Sequence, residues 1–331
     1  MSYVRPVGLM PGDTIAIVAP SSPVSVIDDI FIAKGVQFIQ KLGFQVKMGS
    51  RQTLADFKTE SGIAQRADDI NKMFCDDSVK AIMCAIGGYS ANDILPRLDY
   101  ETIKKHPKIF IGFSDIAMLQ SAFLAKCNMV SFYGPMLVSF AAPDVHAFTI
   151  KHFLQGLQNK DSCFIVSSDE YTDDAWYATP DLVKRSWHKN RCKTFKEGQA
   201  KGILLAANLE TLVALADTPY FSPLENTILA LESSGGDWRH LARDLMHLRL
   251  MGAFEKVSGL VLGRIPNFDT VFTSENKFED MLATILQGYS FPVLYNFSFG
   301  HTSPIVTLPI GVSCILDADK KSIEIVEQSI Y

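Results

Sequence analysis

The stretch Lys108–Ala125, KIFIGFSDIAMLQSAFLA, decides the fold. Its first part, Lys108–Gly112, is a short apolar run ending in glycine, the pattern of a buried strand. Its last part, Ile116–Ala125, is long and apolar enough for a helix packed between layers. Only Phe113-Ser114-Asp115 separates them, so one strand runs straight into one helix. Working outward, the same unit recurs. Thr14–Ala19 (TIAIVA) is an apolar run closed by Pro20. Asp28 and Asp29 then precede Ile32, Val36, Ile39 and Leu42 at helical spacing, with Gly43 as the stop. Phe44–Met48 alternates as a strand, and Ile63, Ala67, Ile70 and Phe74 mark another helix. Val79–Ile86 (VKAIMCAI) is a second buried strand, broken by Gly87-Gly88, and Ala91–Leu98 starts a helix.

This β-α-β-α order implies a parallel sheet with helices on both faces. The expected fold class is therefore α/β: an N-terminal doubly wound domain of Rossmann or flavodoxin type, followed by a smaller C-terminal α/β domain. Ligands of such sheets gather beyond the carboxyl ends of the strands. Gly87-Gly88 and Phe113-Ser114-Asp115 both stand at strand ends, on one rim.

The alternation lapses over 166–200. An acidic stretch, SSDEYTDDAW, is followed by KRSWHKNRCKTFK, with six Lys or Arg between 184 and 196. Two readings stay open here: a solvated connection, or a lid in which Trp176 and Trp187 offer stacking faces. KGILLAA, an NLETLVALA helix, the strand NTILALE and the amphipathic helix DWRHLARDLMHLRLMG then begin a second domain. VSGLVLGRI and the tail add further strands. The expected division is 1–165, a linker or lid at 166–200, and 201–331.

Composition narrows the class. Of 331 residues, 47% are hydrophobic and 20% charged, which excludes a disordered chain. A net charge of −5 supplies no field for polymeric nucleic acid or an anionic membrane. No run of about 18 apolar residues exists to span a bilayer. The start, MSYVRPVGLMPGDTIAIVAP, is broken by Pro6, Pro11 and Gly12 and does not read as a signal peptide. Six dispersed cysteines form no C-x-x-C pair, so reduced thiols and a cytoplasmic location are expected; Cys75 and Cys84 lie in segments that read as helix and strand interior, where a free cysteine behaves as a small hydrophobe.

Metal and nucleotide motifs are absent: there is no H-E-x-x-H, no Walker glycine loop and no G-x-G-x-x-G. His240 and His247, two turns apart, read as surface residues of a helix rather than metal ligands. What remains is a serine at a strand-to-helix turn, the place a nucleophile elbow occupies. The string G-F-S-D does not match G-x-S-x-G, and Ser114 could equally cap the helix. A serine nucleophile needs a base and the base an orienting carboxylate. His301 stands in a Gly/Pro-containing loop, FGHTSP, and Glu232 ends an apolar strand. From the residues alone, a loop histidine and an edge carboxylate explain these two as well.

Five segments in order resemble the serine peptidase family of LD-carboxypeptidases and microcin C self-immunity peptidases. They are GDTIAIVAPSSP (12–23), AIGGYSANDILPRLDY (85–100), KIFIGFSDIAML (108–119), AANLETLVALADTPYFSPLENTILALES (206–233) and FGHTSPIVTLPIG (299–311). The resemblance implies Ser114 as nucleophile, Glu232 and His301 as its partners, and an oxyanion hole from the amides of Gly88 and Asp115. It also implies substrate contacts from Gly87, Tyr89, Asn208, Trp176 and Trp187. Ala206-Ala207 stands where the family commonly has two glycines, and Ile86 where many LD-carboxypeptidases have arginine; the I-G-G form and the ENTIL run are more similar to the microcin-immunity branch. The substrate implied is a murein peptide or an aminoacyl nucleotide, with neither cofactor nor metal, and the assembly implied is a homodimer. Two other classes stay open: a non-catalytic binding protein on this scaffold, and a nucleotide-dependent Rossmann enzyme.

Overall fold

A computed structural model describes residues 3–158, 161–178, 183–273 and 277–331. It is a mixed α/β molecule with two principal sheets. The first has six strands in the spatial order Leu308–Ile310, Ser131–Tyr133, Ile109–Gly112, Val79–Cys84, Thr14–Val18, Gln45–Met48. All are parallel except Leu308–Ile310, which pairs antiparallel with Ser131–Tyr133. Every residue of Ile109–Gly112 is buried, because helices cover both faces of the sheet.

Local chemistry accounts for these elements. The helix Asp29–Lys41 starts where the Asp28 carboxylate accepts from the Ile30 amide and ends at Gly43, whose φ of +94° few other residues adopt cheaply. The helix Glu60–Cys75 is capped by Thr59 and buries Ala67, Ile70 and Phe74. Phe74, Phe110 and Phe123 then meet as edge and stacked pairs, with Phe110 and Phe123 centroids 4.9 Å apart. Each such fully buried ring contributes roughly 1.5–3 kcal/mol. Ala91–Leu98 departs from the expected α-helix: Ala91–Arg97 is 3₁₀, with Pro96 inside it, since proline removes the donor that an α-helical turn needs.

The second sheet has eight strands, ordered Cys163–Val166, Ser322–Ile325, Ser313–Asp317, Gln199–Asn208, Thr227–Glu232, Val257–Gly263, Val293–Phe297, Lys193–Lys196. Its four strands from Gln199–Asn208 to Val293–Phe297 are parallel and their flanks antiparallel. The helix Trp238–Leu250 lays Leu241, Leu245 and Leu248 against it and leaves His240 and His247 exposed.

The two sheets exchange strands. Leu308–Ile310, late in the chain, completes the first sheet, and Cys163–Val166, from the middle of the chain, edges the second. The basic run is also built in. Lys193–Lys196 is an edge strand, and His188–Lys189 pairs with Glu170–Tyr171. Cys75 corrects its expectation: at the last turn of its helix it is exposed, while Cys84 is buried. Among the described residues no helix is long and apolar enough to cross a membrane.

Candidate active site

Ser114 sits two residues past the end of the buried strand Ile109–Gly112 at φ +64°, a left-handed conformation uncommon outside glycine. Strain of this kind persists only where the surroundings over-determine it, and it cocks a turn so that the side chain stands clear of both strand and helix. The Ser114 amide is held by a 3.1 Å hydrogen bond to the Tyr133 hydroxyl. Gly87 closes the other side: a Cβ there would lie 3.0 Å from Ser114 Cβ and 3.1 Å from its Oγ.

His301 Nε2 lies 3.1 Å from Ser114 Oγ, and His301 Nδ1 lies 2.6 Å from Glu232 Oε2. The serine, histidine and carboxylate therefore form one hydrogen-bonded chain across the two sheets. Glu232 ends the strand Thr227–Glu232 and its side chain is fully buried. Its other oxygen, Oε1, accepts from the Tyr133 hydroxyl and, at 3.2 Å, from Asn208 Nδ2. Two glycines make room for it. At Gly300, φ +98°, a Cβ would come within 2.4 Å of Glu232 Oε2, and at Gly263 within 2.8 Å of Glu232 Cβ. Phe113 packs edge-on against the His301 ring, 5.2 Å between centroids.

Burial pulls the His301 imidazolium toward its neutral form, but the charge and hydrogen bond of Glu232, with the charge of Glu210 beyond it, outweigh burial and raise its pKa above the ordinary 6.5. Burial pushes the Glu210 carboxyl up, opposed by the Ser233 hydroxyl that it accepts from. Burial, then Glu232, raises the Tyr133 phenol well above its usual range, so it stays a donor to the carboxylate.

The loop facing Ser114 is tied down from below. One oxygen of the buried Asp115 carboxylate accepts from the Ser90 amide at 2.8 Å, the Ala91 amide at 2.9 Å and the Ser21 hydroxyl. The Arg66 guanidinium, 2% exposed, donates to the Pro20 and Ser90 carbonyls and stacks on Phe57. Among the described residues the amides of Gly87 and Gly88 donate to no backbone carbonyl.

The other expected contact residues fall apart in position. Tyr89 is 93% exposed at the tip of this loop. Asn208 is buried with its polar atoms committed inward: Nδ2 donates to Glu232, and Oδ1 caps the helix Leu209–Ala214 by accepting from Thr211. Trp176 packs edge-on against Phe31. Trp187 donates from Nε1 to Asp144 at 2.8 Å, between the His146 ring and the Arg185 guanidinium. Arg185, inside the run that reads as either a solvated connection or a lid, is 5% exposed: it pairs with Asp144 and donates to Ser303 Oγ, two residues beyond His301. Sequence reasoning missed Tyr133 and Arg185. The signal for Tyr133 was available, since it ends a strand on the rim that carries Ser114; nothing in a run of six cations marks one as buried.

A serine held against a histidine–carboxylate pair at the carboxyl rim of an α/β sheet defines the class of serine-type hydrolases. Residues 15–134 match the LD-carboxypeptidase N-terminal domain and residues 201–316 the LD-carboxypeptidase C-terminal domain, so the chain belongs to the LD-carboxypeptidase family and is a serine-type carboxypeptidase. It is 33% identical to the microcin C7 self-immunity protein MccF of Escherichia coli, over 96% of this chain and 94% of that one. It is 34% identical to the putative carboxypeptidase YocD of Bacillus subtilis, over 94% and 95%. The solved structure of MccF in complex with glutamyl sulfamoyl guanosine superposes with a TM-score of 0.90 at 30% identity, covering 99% of this chain and 100% of the other.

Proposed function

We propose that the protein is a serine amidohydrolase in which Ser114 is the nucleophile, His301 the general base and acid, and Glu232 the group that orients His301. The observation that carries this reading is the unbroken chain Ser114 Oγ–His301–Glu232, with contacts of 3.1 and 2.6 Å. In the first step Ser114 Oγ bonds to the acyl carbon and its proton passes to His301 Nε2. The negative charge that develops on the acyl oxygen is met by the amides of Gly88 and Asp115; losing one such donor typically costs about 3 kcal/mol of transition-state stabilisation. His301 then protonates the leaving nitrogen, and the bond to it breaks. Water, deprotonated by His301, releases the acid and restores Ser114. Asn208 supports Glu232 in this scheme rather than touching substrate.

The substrate we favour is an aminoacyl nucleotide with an amide-like acyl linkage. Support comes from the likeness to MccF, whose structure holds glutamyl sulfamoyl guanosine, and from Ile86 at the position where many LD-carboxypeptidases carry arginine. The second reading is release of the terminal D-amino acid from a murein tetrapeptide, which the LD-carboxypeptidase matches over 15–134 and 201–316 favour. A cytoplasmic homodimer is the setting proposed for either.

Incubation with glutamyl sulfamoyl adenosine and, separately, with murein tetrapeptide, followed by mass spectrometry, tests this. Free glutamate from the first supports the aminoacyl-nucleotide reading, and free D-alanine from the second the murein reading. Tight retention of either compound without turnover would instead identify a binding protein on this scaffold. A folded Ser114→Ala variant with full activity would overturn the assignment of the nucleophile.

A further inference from the structure

Tyr133 is 0% exposed, yet it touches all three segments that bear the proposed triad. Its hydroxyl accepts from the Ser114 amide and donates to Glu232 Oε1. Its backbone pairs with Leu308, in the strand that follows the His301 loop, and with Gly112, two residues before Ser114. Its ring lies between Phe113 and Phe299, the neighbours of Ser114 and Gly300. A buried phenol has one donor and accepting capacity, and both functions are used here on opposite sides of the joint between the sheets.

We infer that Tyr133 is a positioning residue that registers the nucleophile turn against the orienting carboxylate. This rests on the proposed triad. The accepting side of the hydroxyl stabilises the left-handed backbone of Ser114, whose amide would otherwise be an unpaired donor in a half-buried rim. The donating side occupies Glu232 Oε1 and leaves Oε2 to His301, so the imidazole keeps the tautomer with its proton on Nδ1 and its lone pair toward Ser114 Oγ. Asn208 donates to the same oxygen, but from within the second sheet; of these two donors, Tyr133 is the one that comes from the first.

Tyr133→Phe removes the hydroxyl and keeps the ring. Kcat is expected to fall about 10- to 100-fold with KM little changed. Without the phenol, the Glu232 charge concentrates on Oε2 and holds the His301 proton more firmly. The groups facing His301 and Glu232 are then Glu210, from the helix Leu209–Ala214, Asn208 and Ser114, and none of them changes. The acid limb of kcat therefore moves to higher pH. A merely structural role would lower the melting temperature and leave that limb in place. A folded Tyr133→Phe enzyme with unaltered kcat and unaltered acid limb overturns the inference, while the triad stands or falls separately on Ser114→Ala. Should Tyr133→Phe not fold, hydrogen exchange at the Ser114 amide of the native protein reads the same bond: protection supports it, and exchange at the rate of an open loop overturns it.

Discussion

The turn that bears Ser114 and the His301 loop reach the same point by different means. The turn is local. A buried strand and a 3₁₀ turn that leads into a helix place Ser114, and its restraints come from the same rim: the Tyr133 hydroxyl on its amide, Gly87 at its side chain, and the Asp115 carboxylate on the loop beneath. The loop is assembled at long range. His301 depends on Glu232, 69 residues earlier, on Gly300 and Gly263 leaving space for that carboxylate, and on Ser303, which Arg185 and Thr172 hold. A local device tolerates change outside its few residues, whereas one made of many segments fails when any of them moves.

The hardest test of that contrast removes one member from each half. Ser114→Ala and His301→Ala are each expected to lower kcat by about 10⁴-fold or more, and the double variant hardly further, because groups that act as a unit are not additive. Steady-state and single-turnover kinetics check this; additive losses would show that the two halves work independently. Gly300→Ala comes next. Its Cβ would collide with Glu232 Oε2 and the backbone sits at φ +98°, so kcat should fall about 100-fold, with a lower melting temperature by calorimetry. Gly87→Ala meets Ser114 at the looser 3.0 Å, and its backbone is not in the left-handed region; about a tenfold loss in kcat with an unchanged melting temperature is expected. If Gly87→Ala proves the more damaging of the two, the contrast is the wrong way round.

The smallest effect is one of pH. With His301 raised above 6.5, its ion pair with Glu232 contributes stability that is fully present below about pH 6.5 and lost as pH rises through the raised folded value. The proposed mechanism needs the neutral imidazole, so catalysis is expected to fall as pH drops through that same value. Melting temperature and kcat/KM, measured across pH 5 to 9, should move in opposite directions in this window. Glu232→Gln should flatten the stability component; an unchanged profile there would mean that the pair does not set the titration.

Much of the fold was legible because it rests on periodicity. The strands Thr14–Val18, Val79–Cys84 and Ile109–Gly112 and the helices between them follow from apolar runs, caps and glycine stops, each a property of neighbouring residues. The rim that bears Gly87 and Ser114 followed from strand direction. The strand exchange was not legible. Leu308–Ile310 belongs to the first sheet and Cys163–Val166 to the second, because pairing partners are chosen by hydrogen bonding across space, and short apolar strands carry no mark of their sheet. The consequence is concrete: cutting the chain between 166 and 200 strips each sheet of a strand, so the separated pieces should be inert for loss of structure as well as of site residues.

By itself the sequence determined an α/β chain without a basic field, with a serine on a strand-to-helix turn, and, through five ordered segments, its resemblance to LD-carboxypeptidases. The residues' own pattern left open which of seven histidines and 36 acidic residues meets that serine; the resemblance implied His301 and Glu232, and the tertiary structure brings those two together with it. It also decided that one tyrosine joins the two halves and that Arg185 is buried while most of its neighbours in the basic run face solvent. The reason is physical. Helix and strand patterns repeat over a few residues, but a hydrogen-bonded chain of side chains is defined by distances of about 3 Å between groups that the backbone separates by as many as 187 positions.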